Sequence, residues 1–350
     1  MVEDREEQDE REERGAPSRG WALLLSLFSP GVGHFFIGRT RRAVAWATLP
    51  LVMFAVYLVA LLRIPLPSLY STFFVSAPGV YVGARAGALL DVLRLHNKTC
   101  RRARTLRVVL FFAAAVAYSA VGATLLRNHV GEAFKIPAGA MQPALLIGDH
   151  IMVDKQAFRG VVPARGSLIV FESPEKPGYD FIERAIALPG DRLEVIDGRP
   201  WLNGWEVPHC KVGQAALPDK PDSVGQLELE YLGETMFLIF LENGTEGGHE
   251  GPYVVKSGEV WALGDNRRNS FDSRYWFGGA GGGVPFENLK GRPAFNWLAF
   301  NARGYPEWSR MGVPVDEIRL PHALMNLEPA LRSCLSQRPR TTQPPPAATL

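Results

Sequence analysis

Two uninterrupted apolar runs constrain this chain more than any other feature. Residues 43–62 (AVAWATLPLVMFAVYLVALL) hold no charge over twenty positions, and residues 108–126 (VVLFFAAAVAYSAVGATLL) hold none over nineteen. A helix of about 20 such residues crosses the ~30 Å hydrocarbon core of a bilayer. Two weaker candidates accompany them. The run 21–38 (WALLLSLFSPGVGHFFIG) is interrupted by Pro30, Gly31, Gly33 and His34 and reads as a broken or re-entrant helix. Roughly 66–90 is apolar too, but it carries Arg85 and is rich in Gly and Ser. The expectation is a membrane section of three or four helices over residues 21–127.

Basic residues orient that section. Arg94, Lys98, Arg101, Arg102, Arg104 and Arg107 precede the run 108–126, and Arg39, Arg41 and Arg42 precede the run 43–62. Clusters of this kind are retained on the cytoplasmic side. Residues from about 128 onward are then expected on the outer face of the cytoplasmic membrane. The first twenty residues carry eight acidic side chains and are expected to be disordered. They lack the basic start and small-residue cleavage site of a signal peptide. The stretch PGVGHFFIGRTRRA resembles short helical-hairpin modules fused to membrane proteins, which implies no chemistry.

After residue 145 the pattern changes. HIMVDKQAF, GSLIVFES, FIERAIAL, DRLEVI, ETMFLIF, YVVKSGEVWAL and FNWLAF are short runs of β-forming residues separated by turn signals. DGRP and LNGW mark tight turns, the second with an Asn-Gly hairpin signal. Residues 128–320 are therefore expected to form an all-β domain of coiled or barrel-like antiparallel sheets. A short helix within 321–335 and a disordered Pro-rich tail are expected to follow. The glycines of GGAGGG (278–283) lack the Lys-Ser/Thr of a phosphate loop. The formal net charge of +2 gives no bias toward nucleic acid. The three cysteines form no CxxC and the histidines no HxxxH, so neither a metal site nor a cofactor is expected. In an oxidising compartment Cys210 and Cys334 have the option of pairing.

Three segments carry chemistry: FKIPAGAMQPALLIGDHIMVDK (134–155), FIERAIALPGDRLEV (181–195) and LGDNRRNSFDSRYW (263–276). In this order, after an apolar anchor, they resemble bacterial type I signal peptidase over roughly residues 108–300. The resemblance implies a β-rich domain that cleaves signal peptides from preproteins near the membrane lipid. In that family a serine attacks the scissile carbonyl, a neutral lysine takes its proton, and a second hydroxyl helps to hold the oxyanion.

Carried onto this chain, the nucleophile position is Ala140, the oxyanion position Ala138 and the general-base position Glu183. A methyl group cannot attack a carbonyl, and a carboxylate repels a developing oxyanion. The surroundings match the family: Ile136, Pro137, Met141 and Pro143, read as substrate-groove residues, with Gly148 and Asp149, then Pro189, Gly190 and Asp191. So do the supporting residues Arg184, Ser270, Asp272, Ser273 and Arg274, together with Gly264, Asp265, Asn266 and Arg267. An ion-pair network of Asp272, Arg274 and Arg184 is expected, with Ser270 bereft of its lysine. The leading expectation is a membrane-anchored, catalytically inactive relative that binds signal peptides or preproteins, or partners an active signal peptidase. The alternatives are an endopeptidase using Ser167, Ser173, Ser270 or Ser273 with Lys155 or Lys176, and a purely structural membrane module.

Overall fold

The computed structural model describes residues 18–63, 67–96, 103–218, 220–244, 248–301 and 303–347. The charged N-terminus and Cys100 lie outside the described residues. The chain divides into two compact units, Met1–Val130 and Gly131–Leu350.

The first unit is helical. Helices α1 (Arg19–Phe28) and α2 (Val32–Phe36) are separated at the Pro30-Gly31 punctuation, where Gly31 adopts a positive φ of 95°. Gly33 lets α2 press onto α1, because a Cβ there would lie 2.1 Å from the Ala22 carbonyl oxygen. Helices α3 (Thr40–Arg63), α4 (Pro67–His96) and α5 (Thr105–His129) follow. Among the described residues, Thr40–Ala60 and Thr105–His129 are long and apolar enough to cross a bilayer, each with a mean hydropathy of 2.1. Asp91 of α4 accepts a bond from Trp46 Nε1 at 3.1 Å and pairs with His34 and Arg42, which ties α2, α3 and α4 together.

The second unit is built from antiparallel β-sheets. Its strands are β1 (Gly131–Lys135), β2 (Asp149–Asp154), β3 (Leu168–Glu172), β4 (Asp180–Ala187), β5 (Arg192–Ile196), β6 (Arg199–Leu202) and β7 (Trp205–Glu206). They continue with β8 (His209–Leu217), β9 (Lys220–Leu232), β10 (Thr235–Glu242), β11 (His249–Val254), β12 (Glu259–Leu263), β13 (Val284–Pro285) and β14 (Leu289–Ala299). Seven strands run in the order β1-β2-β14-β3-β4-β12-β13, three as β10-β9-β8 and four as β11-β5-β6-β7. The β5–β6 and β6–β7 connections are two-residue hairpins whose central residues all have positive φ: Asp197-Gly198 and Asn203-Gly204. That is the conformation Asp-Gly and Asn-Gly tolerate best.

Hydrophobic burial explains which faces turn inward. Leu193, Val195, Leu202, Ile239, Trp261 and Leu263 form one core, and Ile169, Phe171, Ala185, Val260 and Trp276 another. Strand β9 departs from simple alternation. Glu228 and Glu230 are fully buried, neutralised by Arg199 and by Arg267 respectively. A buried charge persists only when paired and hydrogen-bonded, and Arg267 adds a 2.9 Å bond to the Gly198 carbonyl.

The C-terminal residues differ from the expectation of a disordered tail. After a 3-10 turn at His322–Leu327, helix α6 (Glu328–Ser336) buries Leu331 and Cys334. Cys334 forms a disulfide with Cys210 of β8, and its carbonyl accepts the Tyr231 hydroxyl at 2.6 Å. The Pro-rich segment then hydrogen-bonds along the sheets, with Gly233 N–H donating to the Thr342 carbonyl at 2.7 Å and Asn203 Nδ2 to that of Pro345. The glycine-rich loop is also pinned: Gly281 N–H donates to Trp276 O and Gly282 N–H to Ser273 O. A Cβ on Gly281 would meet Trp261 at 2.6 Å.

Candidate functional site

The loop 136–149 joins β1 to β2 and is closed at its neck by backbone bonds. Ile136 N–H donates to Asp149 O at 2.8 Å and Gly148 N–H to Ile136 O at 3.0 Å. Asp149 is 1 % exposed, accepts the Leu146 N–H at 2.8 Å and is paired with Arg310. Burial pushes its carboxyl upward and the Arg310 charge pulls it back. These contacts account for the Gly-Asp at the end of the loop.

A second segment clamps the tip of this loop. Asn266 N–H donates to the Ala140 carbonyl at 2.8 Å, and Asn266 Nδ2 to the Gly139 carbonyl at 3.1 Å. Gly264 lies beneath the clamp. A Cβ there would fall 2.7 Å from Ala140 O and 2.4 Å from Ser270 Oγ. Only glycine fits at so close an approach. The Ala140 carbonyl and Ser270 therefore close on Gly264 from two sides and leave no room for a methyl.

Ser270 links this contact to β4. Its hydroxyl donates to Glu183 Oε1 at 3.2 Å. Glu183 is 3 % exposed, and its Oε2 is buried without a hydrogen-bond partner among the described residues. Burial raises the Glu183 carboxyl well above the usual glutamate range, and the negative charges of Asp272 and Asp265 push the same way. The Ser270 bond and the Arg274 charge oppose this and do not overcome it. Burial and both neighbouring carboxylates act against the charged form. Ala140, Ser270 and Glu183 thus come near one another, and Ser270, expected to have lost a lysine partner, donates to a carboxyl.

The expected three-residue ion network resolves into two separate pairs. Arg184 forms a fork with Asp265, Nε–Oδ1 at 2.7 Å and Nη2–Oδ2 at 2.6 Å, and stacks 4.0 Å over the Phe237 ring. Arg274 forms its own fork with Asp272 at 2.8 Å for both bonds. Asp272 also accepts the Gly264 N–H at 3.0 Å, and Ser273 Oγ accepts that of Ala262. Both pairs brace the strands under the loop. The Asp265 partnership and the Asn266 clamp carry no signal in residue spacing, since Arg184 and Asp265 are 81 positions apart.

The residues expected to line a substrate groove divide. Pro137 and Ala138 face solvent, Ala140 is half-buried, and Pro143 is buried. Ile136 and Met141 are 3 % and 1 % exposed and belong to a core cluster with Leu145, Ile151, Val170 and Val315. The other candidate serines are engaged elsewhere: Ser167 donates to Ala164 O, and Ser173 accepts the Lys176 N–H. Lys155 pairs with Glu132, and Lys176 lies 4.6 Å from the Phe271 ring centroid. Among the described residues no serine hydroxyl bonds to a lysine amine.

The signal peptidase, peptidase S26, family matches residues 105–298, more than half of the chain. The chain belongs to the peptidase S26 family. Signal peptidase I of Pseudomonas fluorescens is 32 % identical over 213 residues, covering 54 % of this chain and 73 % of that protein. Signal peptidase I of Aquifex aeolicus is 30 % identical over 209 residues, covering 48 % and 75 %. The crystal structure of a signal peptidase I from Enterococcus faecalis is 24 % identical, covers 37 % of this chain and 96 % of that one, and superimposes with a TM-score of 0.24. The match to the signal peptidase family takes in the loop 136–149, Glu183 and the 264–274 segment. It leaves residues 299–350 outside.

Proposed function

We propose that this chain is a membrane-anchored, signal-peptidase-like protein that binds extended segments of exported preproteins and does not cleave them. The observation that carries the reading is the buried Glu183 carboxyl, bonded to Ser270 beside Ala140. It occupies the position that the resemblance gives to a neutral lysine base. A protonated acid accepts no proton, and an ionised one repels an oxyanion. Ala140 and Ala138 bring no hydroxyl to the loop.

Binding has a physical basis without chemistry. Pro137 and Ala138 are exposed beside β1, the terminal strand of the seven-stranded sheet. An extended peptide recognised by strand addition gains main-chain bonds there and needs no reactive group. The two apolar helices support anchoring, and the basic residues ahead of them support an outward-facing β unit. The Cys210–Cys334 disulfide supports an oxidising surrounding for that unit. Membrane lipid and an active signal peptidase are the further partners that fit this placement.

Incubating the detergent-solubilised protein with a preprotein tests both halves. The expected result is a cross-linkable complex and unprocessed preprotein. A shortened product with the native mature N-terminus overturns the reading.

A further inference from the structure

Four helix ends of the first unit meet on one side of it. Arg85 of α4 donates to the Leu27 and Phe28 carbonyls that end α1. Ala22, near the start of α1, shares a buried cluster with Val92 and Leu95, further along α4. Helix α1 therefore runs antiparallel to α4 and opens, at Arg19, beside the last turns of α4. Phe36 at the end of α2 and Val108 near the start of α5 belong to the same cluster, and Ala103 N–H donates to Phe36 O at 3.0 Å. Arg42, in the first turn of α3, pairs with Asp91. The starts of α1, α3 and α5 and the end of α4 thus come together.

This end is strongly basic. Arg41, Arg42, Arg94, Arg104 and Arg107 all lie on it and are exposed. Asp91 is the one acidic residue between positions 19 and 130, and it already holds His34 and Arg42. Neither α3 nor α5 has an acidic residue in its first turn. Arginines at the positive ends of two helix dipoles cost free energy. A carboxylate to pair with the remaining arginines has to come from outside residues 19–130.

We propose that the acidic N-terminal segment, residues 3–13, docks on this arginine cluster. The segment holds eight acidic residues against two arginines. It joins the helical unit at Ser18, where α1 opens on the same end. The link from Glu13 to Ser18 reaches at most about 17 Å. Packed helix axes lie about 8–10 Å apart, so the carboxylates are within range of the cluster. A short tether also holds them at an effective concentration in the millimolar range. Exposed ion pairs are individually weak, so the docking depends on many charges acting together and on salt. Bilayer phosphates are the competing anions, and the docked segment screens the arginines from them.

The test uses the full chain with the photo-reactive amino acid benzoyl-phenylalanine in place of Gln8, in the neutral detergent dodecyl maltoside. Mass spectrometry should find cross-links to residues 39–42, 94 or 104–107. Raising salt from about 0.1 M to about 1 M shortens the screening length from about 10 Å to about 3 Å and should cut the yield about fivefold or more. Glu6→Lys/Glu7→Lys/Asp9→Lys/Glu10→Lys should cut it to a similar extent. Adding Arg41→Glu/Arg104→Glu/Arg107→Glu to that variant should restore it. The exchange leaves the basic residues of that end nearly as numerous, so membrane orientation is kept. In nanodiscs the wild-type cross-links should persist with about one third phosphatidylglycerol as they do with phosphatidylcholine alone. Cross-links outside the cluster, insensitivity to salt or charge, or an exchange that restores nothing overturn the proposal. Loss of the cross-links only where phosphatidylglycerol is present overturns it too, because the bilayer's phosphates then hold the arginines.

Discussion

Glu183→Gln isolates the consequence of placing a carboxyl where this chain has one. Burial and the Asp272 charge hold the folded pKa of Glu183 well above that of an ordinary glutamate. Between those two values the folded chain keeps a proton that the unfolded chain releases. Stability therefore falls as pH rises through that window, by up to about 1.4 kcal/mol per pH unit for one proton. Below the ordinary glutamate range the penalty vanishes, and above the folded pKa it levels off. Glutamine keeps the oxygen that accepts the Ser270 hydroxyl and has no proton to lose. Relative to wild type, Glu183→Gln should be stabilised increasingly from about pH 4.5 upward. For a β unit of this size the gap widens by about 3–6 °C in Tm per pH unit. Thermal unfolding of the two proteins in parallel from pH 4 to pH 8 measures it. Curves that keep a constant separation across that range would refute the buried-acid argument.

Three further perturbations test the frame of the site. Asp265→Asn leaves the buried Arg184 guanidinium without its counter-charge and should cost about 3–5 kcal/mol in denaturant unfolding, a loss Arg184→Ala should share without adding to it. Gly264→Ala forces a methyl against Ala140 O and Ser270, so it should destabilise by about 1–3 kcal/mol and raise hydrogen exchange over 137–142. Replacing Cys210 and Cys334 by serine opens a crosslink 124 residues apart in sequence and should lower stability by about 2–5 kcal/mol, with exchange rising first in α6.

Much of this protein is legible one segment at a time. The β strands at 168–172, 180–187, 192–196 and 259–263 follow from local runs of β-branched and aromatic residues, and the two hairpins from Asp-Gly and Asn-Gly. The broken helix at 29–31 follows from Pro30 and Gly31. Strand β9 is harder to see, because Glu228 and Glu230 look like solvent-facing residues. Their partners, Arg199 and Arg267, are 29 and 37 positions away. The same difficulty hides the choice of Asp265 over Asp272 for Arg184. Ion-pair partners are selected by three-dimensional packing, which composition and period do not encode. The anchoring of the Pro-rich tail belongs to this class too. It rests on backbone bonds to Gly233 and an Asn203 side-chain bond, and any sequence offers backbone groups. The site is read in the sequence from its resemblance to the family, with Ala138, Ala140 and Glu183 expected at its three reactive positions. What the sequence left open was where those positions stand in space: Ser270 bonds Glu183 and, with the Ala140 carbonyl, crowds Gly264.

The central claim is that the peptidase frame is complete and only the reactive groups are missing. Cleavage of a preprotein by the wild type beside Ala140→Ser/Glu183→Lys tests it most directly, read as the mass of the released mature chain. The account predicts an intact preprotein with the wild type and a correctly processed product with the double variant, since a serine and a lysine would then stand at the two positions the resemblance gives to nucleophile and base. Processing by the unmodified chain would contradict it.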